Sequence, residues 1–144
     1  MSDTQTPPDA NCIFCKIVAG RIPCHKILED QTVLAFLDIE PLSRGHALVI
    51  PKAHYEKIDQ VPDEVAASCA AVIPRLSRAI MAATGGTAWN VLQNNGRMAH
   101  QAVGHVHFHI IPKTDEAGLG MVWPTSQLED EEARKFLAMI AERL

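Results

Sequence analysis

The stretch His105-Val106-His107-Phe108-His109-Ile110-Ile111-Pro112 decides how the rest of this chain is read. Three histidines alternate with apolar residues, and a period of two is the signature of a β-strand, whose successive side chains point to opposite faces. The spacing predicts a strand that displays His105, His107 and His109 along one face, neighbours roughly 7 Å apart. Val106, Phe108 and Ile110 turn the other way, into a core. Pro112 cannot donate to a ladder and marks the strand's end. Imidazole is the side chain whose unperturbed pKa lies near neutrality, so it can serve as nucleophile, acid, base or metal ligand. A solvated strand face would more naturally carry Thr, Lys or Glu.

Around this stretch lies an ordinary globular composition. The 144 residues are 47% hydrophobic and 21% charged, enough for one domain with a substantial core. A net charge of −4 argues against a surface that coats nucleic acid. No unbroken apolar run approaches the ~20 residues that cross a bilayer, so no membrane partner is expected. Residues 1–11 are polar and Pro-containing, without a basic start or an apolar stretch, and are expected to be a disordered tail ahead of a single domain over 12–144. Four cysteines are too few for a disulfide scaffold, and with no leader the expected compartment is the reducing cytoplasm.

Taken in order, Cys12-Ile13-Phe14-Cys15 is a CxxC with three readings: half of a zinc site, a redox dithiol, or two core cysteines. A zinc site would need two further nitrogen or sulfur ligands, for which His54 and His105 are candidates. His25–Leu28 and Val33–Asp38 predict a hairpin turning at Glu29-Asp30-Gln31, ended by Pro41. His46–Ile50 is a nearly continuous apolar run, the pattern of a central strand covered on both faces, with His46 at its entrance. Val65, Cys69, Val72, Ile73, Leu76 and Ile80 fall at helical spacing between Pro62 and Gly85-Gly86, with Pro74 expected to kink or divide the helix. Cys69 belongs to the apolar stripe, and no role follows for Cys24. Ala88–Gln93 predicts a strand that enters the turn Asn94-Asn95-Gly96. The loop beyond carries Arg97, His100 and Gln101, where the free amide donors of Asn94 and Gln101 would suit phosphate oxygens. Glu129–Leu144 predicts a helix with Ala133, Phe136, Leu137, Ile140 and Leu144 on one side. The sum is an α+β fold: about five antiparallel strands, two main helices, helices on one face.

The His-x-His-x-His pattern, the run Gln93-Asn94-Asn95-Gly96 through Gln101-Ala102-Val103-Gly104, and Arg44-Gly45-His46-Ala47-Leu48-Val49-Ile50-Pro51-Lys52-Ala53-His54 resemble the histidine triad (HIT) family of nucleotidyl hydrolases and transferases, in its bacterial Hint-like branch. The likeness runs from about Cys12 to Pro112. It implies a HIT-like fold that dimerises through joined sheets. It also implies hydrolysis at the α-phosphate of nucleoside phosphoramidates or related conjugates, releasing a nucleoside monophosphate. His107 would be the nucleophile of a nucleotidyl-histidine intermediate, with His109, His105 and His46 completing the catalytic set. Asp38 would hold the ribose hydroxyls, Ile39 the base of a purine monophosphate moiety, Asn94 and Gln101 the phosphate, and Trp123 would reach towards the partner subunit's site. Likeness to the galactose-1-phosphate uridylyltransferases implies a structural Cys2His2 zinc on Cys12, Cys15, His54 and His105; no organic cofactor is implied. Ala102 departs from the branch's usual Ser or Thr, which donates to the leaving group, and His100 stands at a usual Gly. Two other readings stay open: a metal-dependent hydrolase with triad histidines on a catalytic zinc, and a nucleotide-binding adaptor with vestigial catalysis, for which Ala102 is the best support.

Overall fold

The computed structural model describes residues 8–144. Of the expected tail, residues 1–7 lie outside the described residues. Asp9 already belongs to a turn: its carbonyl accepts from the Cys12 N–H and its carboxylate from Asn11. Cys12 then caps a short helix, α1 (Ile13–Val18), its sulfur accepting from the Cys15 N–H.

Five antiparallel strands follow as β1 (Lys26–Glu29), β2 (Val33–Leu37), β3 (Ala47–Pro51), β4 (Trp89–Gln93) and β5 (Phe108–Pro112), in the spatial order β1-β2-β3-β5-β4. The β1–β2 turn is closed by Asp30, whose carboxylate accepts from the Thr32 and Val33 N–H groups, each at 2.8 Å. Those two bonds also hold its pKa below the usual carboxylate value. Two helices complete the chain, α2 (Asp63–Thr84) between β3 and β4 and α3 (Asp130–Ala141) at the end.

β3 is the central strand, and all five of its residues are buried. Its alternation feeds two cores. Ala47 and Val49 join Val33, Ala35 and Ile110 beneath Cys69, Val72, Leu76, Ile80 and Met81 of α2. Leu48 and Ile50 join Leu34 and Phe36 beneath Cys12, Phe14 and Cys15 of the α1 region. The expectation of helices on one face is therefore corrected. Strands that are apolar at successive positions, Val33–Phe36 and Ala47–Ile50, expose apolar side chains on both faces and need cover on both.

The strand expected over the three histidines is shorter than the pattern suggests. Regular pairing starts at Phe108, opposite Val49 on one side and Gln93 on the other, while His105–His107 lie before it. Continuing the register would set Pro51 against Val106. Pro51 has no N–H to offer, and Asn94 leaves the ladder on the other flank. A backbone bond outside the ladder holds the segment instead, Val106 N–H to Tyr55 O at 2.8 Å. The alternation survives: Phe108 and Ile110 face the α2 core, and Val106 is buried.

α2 runs unbroken through Pro74. Pro74 sits on the solvent side with Ala70, so the carbonyl it releases opens to water, while Cys69, Val72 and Leu76 anchor the helix on both sides of it. By length and composition α2 could also cross a membrane, which the absence of an unbroken apolar run concealed. Its apolar stripe is committed to the sheet. Pro62 is its N-cap, and Gly85 ends it in the left-handed conformation at φ 72°. α3 buries none of its residues; Phe136, Leu137, Met139 and Ile140 all stand exposed.

Candidate active site

Six side chains form a continuous row on the α1 face of the sheet: His54, His105, Phe14, His107, His109 and His46. Successive ring centroids lie 5.0, 5.8, 5.2, 4.8 and 5.2 Å apart. Only His109 comes from the regular part of β5, where it pairs with Leu48 and Leu92. His46 is delivered by the loop before β3. That loop passes close to α2 at Gly45, with φ 88°, where a Cβ would lie 3.0 Å from the methyls of Ile80 and Thr84.

Backbone partners assign the tautomers, because a carbonyl can only accept and an amide N–H can only donate. His107 Nδ1 lies 2.7 Å from the His105 carbonyl and so carries the proton, which leaves Nε2 with its lone pair. His46 Nδ1 accepts from the Leu42 N–H at 3.0 Å. In the neutral ring its Nε2–H then donates to His109 Nδ1, 2.9 Å away. His109 is thereby left with the proton on Nε2. The two neighbouring rings hold opposite tautomers: His107 offers a lone pair and His109 a donor. Asp38 steadies the far end, with Oδ2 3.5 Å from His46 Nε2 and Oδ1 accepting from the Glu40 N–H at 2.8 Å.

Burial favours the neutral form of the rings at the His46 end of the row. Desolvation lowers the pKa of His46 and His107 and pulls that of His109 down to about 4, with the nearby His107 and His46 adding to the effect. Phe14, edge-on to both His105 and His107, supplies part of that apolar surrounding. Its role was missed in the sequence, where it reads only as the interior of the CxxC.

His105, with no exposed surface, looks away from this chemistry. Its Nε2–H donates to the Pro51 carbonyl at 2.8 Å. Its Nδ1 lies 3.4 Å from Cys12 Sγ, 3.6 Å from Cys15 Sγ and 3.2 Å from His54 Nδ1, and Cys15 Sγ lies 3.3 Å from His54 Nδ1. One lone pair cannot satisfy three such neighbours. Tetrahedral zinc, with bonds of about 2.0 Å to nitrogen and 2.3 Å to sulfur, sets its donors roughly 3.3–3.8 Å apart. These distances match that spacing. Burial also pushes the Cys15 thiol up to about 11, a penalty that a cation among the four donors offsets. The residues therefore fit a closed Cys2His2 metal site.

For the reading of a catalytic zinc shared by His105 with His107 or His109, the structure offers no grouping among the described residues that joins them. Of the two donor groupings among the described residues, one joins His105 to Cys12, Cys15 and His54, and the other joins His109 to Asp38 and His46. The nitrogens of His46 and His109 that face each other are already hydrogen-bonded.

The remaining expected residues divide. Ile39 is 77% exposed next to Asp38, an open apolar surface for a flat ring. Asn94 reaches the His100 carbonyl at 3.5 Å, a long contact. Gln101 differs from the expectation of a free amide. It is buried, its Oε1 accepts from the Gly96 N–H and its Nε2 donates to the Glu56 carbonyl, both at 2.7 Å, so it clamps the loop. Trp123 is 75% exposed, on a segment without regular structure, and belongs to neither core cluster of the described residues.

Acid should act on this row in a definite direction. The folded state holds His109 near pKa 4 while an unfolded histidine titrates near 6.5. Below pH 6.5 the unfolded chain therefore binds more protons, and the stability due to this group declines as pH falls from 6.5 towards 4, with no loss above 6.5. NMR should show the His109 ring still unprotonated at pH 6. A midpoint near 6.5 would contradict the buried relay.

A family model described as the HIT domain matches residues 19–116. The adenosine 5'-monophosphoramidase of Schizosaccharomyces pombe is 55% identical over 125 residues, covering 86% of this chain and 91% of that protein. An adenylylsulfatase of Arabidopsis thaliana is 39% identical over 140 residues, covering 93% and 70%. Among solved structures, a HIT family protein from Bacillus anthracis superposes with a TM-score of 0.91 at 41% identity, covering 94% of this chain and 98% of that one. This chain belongs to the histidine triad family and is a hydrolase of that type.

Proposed function

We propose that the chain hydrolyses adenosine phosphoramidates and related nucleotide conjugates through a covalent intermediate on His107. The observation that carries this reading is the pair of opposite tautomers. His107 Nε2 attacks the α-phosphorus, the bond to the leaving group breaks in line, and the His109 Nε2–H offsets charge on a non-bridging oxygen. Water then attacks the same phosphorus, the P–N bond breaks, and the monophosphate leaves. Asp38 and the exposed Ile39 hold the nucleoside, and Asn94 approaches the phosphate. His46 acts through His109, His105 through His107, and Gln101 through the loop it clamps; these are positioning residues. The activities named for the relatives, on adenosine monophosphoramidate and on adenylyl sulfate, are both nucleotidyl transfers to water and fit this scheme.

Cys12, Cys15, His54 and His105 would hold a structural zinc. It would tie α1 to the triad segment and take no part in the reaction.

The same reading includes a homodimer joined at β4. Of the two sheet edges, β1 is short, bulged and charged through Lys26 and Glu29. β4 is regular and exposes Trp89 and Val91, the kind of edge that invites pairing. The uncovered apolar residues of α3 and the projecting Trp123 would find cover against the second subunit.

Three outcomes test these statements. His107→Ala should lower kcat by on the order of 10³ or more, and quenched turnover of the native enzyme should show a nucleotidyl adduct by mass; wild-type turnover in the variant sinks the nucleophile assignment. Metal analysis should find one zinc per chain, lost in Cys12→Ser together with several degrees of Tm; a metal-free protein of full stability would refute the site. Sedimentation should give a dimer for the native chain and a monomer for Val91→Lys, and a native monomer would remove the edge pairing.

A further inference from the structure

We propose that Ser43 is a positioning residue for the reaction: by fastening the loop before β3 to the end of β5, it aims the Leu42 N–H at His46 and so keeps the proton of His109 on Nε2. The inference rests on the nucleotidyl-transfer reading above, in which that Nε2–H meets a non-bridging oxygen of the phosphate.

The pair His46–His109 has two neutral proton arrangements. In one, both rings carry the proton on Nε2, and His46 donates to His109 Nδ1. In the other, both carry it on Nδ1, His109 donates to His46, and His109 Nε2 is left with a lone pair that repels a phosphate oxygen. The 2.9 Å contact between the rings serves either arrangement. What separates them is the group at the far nitrogen of His46. An amide N–H can only donate, so the Leu42 N–H, 3.0 Å from His46 Nδ1, accepts the first arrangement and would meet a proton in the second. Asp38 Oδ2, 3.5 Å from His46 Nε2, favours the same arrangement, but the reading above gives that carboxylate to the nucleoside.

The choice therefore depends on where one peptide group points. The Leu42 side chain does not fix it, being 49% exposed and in neither core. Ser43, the next residue, is buried, and its Oγ–H donates to the Pro112 carbonyl at 2.6 Å, across 69 residues of chain. Regular pairing of β3 with β5 ends at Ala47–Ile110. Pro112, two residues further on, has no N–H with which to extend a ladder, and the Ser43 hydroxyl supplies a link on that side. The Ser43 carbonyl also accepts from the His46 N–H at 3.1 Å, closing a turn whose third residue is Gly45, at φ 88°, the sign of φ that a type II turn requires there.

A second clamp reaches the same peptide. The Gly118 N–H donates to the Leu42 carbonyl at 3.1 Å. Gly118 stands at φ 110°, and a Cβ there would lie 2.6 Å from the Pro112 carbonyl oxygen, the atom that Ser43 holds. Both clamps thus converge on Leu42 and Pro112, and through them on His46.

The test reads the tautomer directly. At a pH where the rings are neutral, 15N NMR of the free native protein should show His109 protonated at Nε2 and bare at Nδ1. In Ser43→Ala the two shifts should move towards each other as tautomers mix. In the same variant kcat for adenosine 5'-phosphoramidate should fall about tenfold, the size of one buried hydrogen bond, with KM changed less than about twofold. Ser43→Thr keeps the hydroxyl and should restore both readouts. Gly118→Ala, which presses on the Pro112 carbonyl from the other side, should move them in the same direction as Ser43→Ala. A hydroxyl that only packs would lower Tm and leave the tautomer alone. His109 shifts that stay native in Ser43→Ala, whatever happens to Tm, overturn the positioning role and leave nucleotidyl hydrolysis standing. A native protein with the expected tautomers that does not cleave the phosphoramidate overturns the nucleotidyl-transfer reading instead.

Discussion

The hydrogen bond from His107 Nδ1 to the carbonyl of His105, 2.7 Å long and buried, is the constraint on which the rest of the site depends. It joins two residues of one extended segment and decides which nitrogen of His107 is available. It works only if His105 is immobile, and three separate parts of the chain hold that residue: Pro51 at the end of β3, Val106's bond to Tyr55, and the Cys12–Cys15–His54 cluster. The short helix α1 is thus tied to the nucleophile although it contributes no reacting atom. Phe14 does the same by contact, filling the angle between the two rings.

A second line of constraint arrives from the opposite side. The loop before β3 is folded back so that the Leu42 N–H meets His46, and the proton order then propagates through His46 to His109. Both lines are anchored in backbone groups of rigid strands or tight turns. The low dielectric that keeps the rings neutral also strengthens each bond between them, which favours a fully satisfied row over a partly satisfied one. Among the described residues no buried side-chain polar atom lacks a partner.

Much of this was legible beforehand because the relevant signals are local. The apolar runs of β2 and β3, the turn at Asp30, and the helix Asp63–Thr84 with its stop at Gly85 follow from periodicity and from residues with narrow conformational preferences. The alternation over 105–111 assigned faces correctly even where regular pairing fails, since side-chain direction depends on extended backbone and not on a ladder. The misreadings share a cause. Pro74 was read as a local breaker, but helix integrity depended on packing at Cys69, Val72 and Leu76 against the sheet. Gln101 read as a free amide because its partners, Gly96 and Glu56, include one 45 residues distant. The apolar side of α3 was legible as a stripe, yet what covers it was not: none of the helix is buried among the described residues.

By itself the sequence determined the chemistry on offer: imidazoles in alternation, a CxxC, an α+β order of strands and helices, and a family likeness strong enough to name a reaction class. Tertiary structure decided what each group does with its atoms. Which nitrogen of His107 is free and which cysteines and histidines converge both depend on contacts between segments tens of residues apart. A hydrogen bond or a metal-ligand distance is set to within tenths of an ångström by the packing of the whole sheet, and residue spacing along one segment carries no such information.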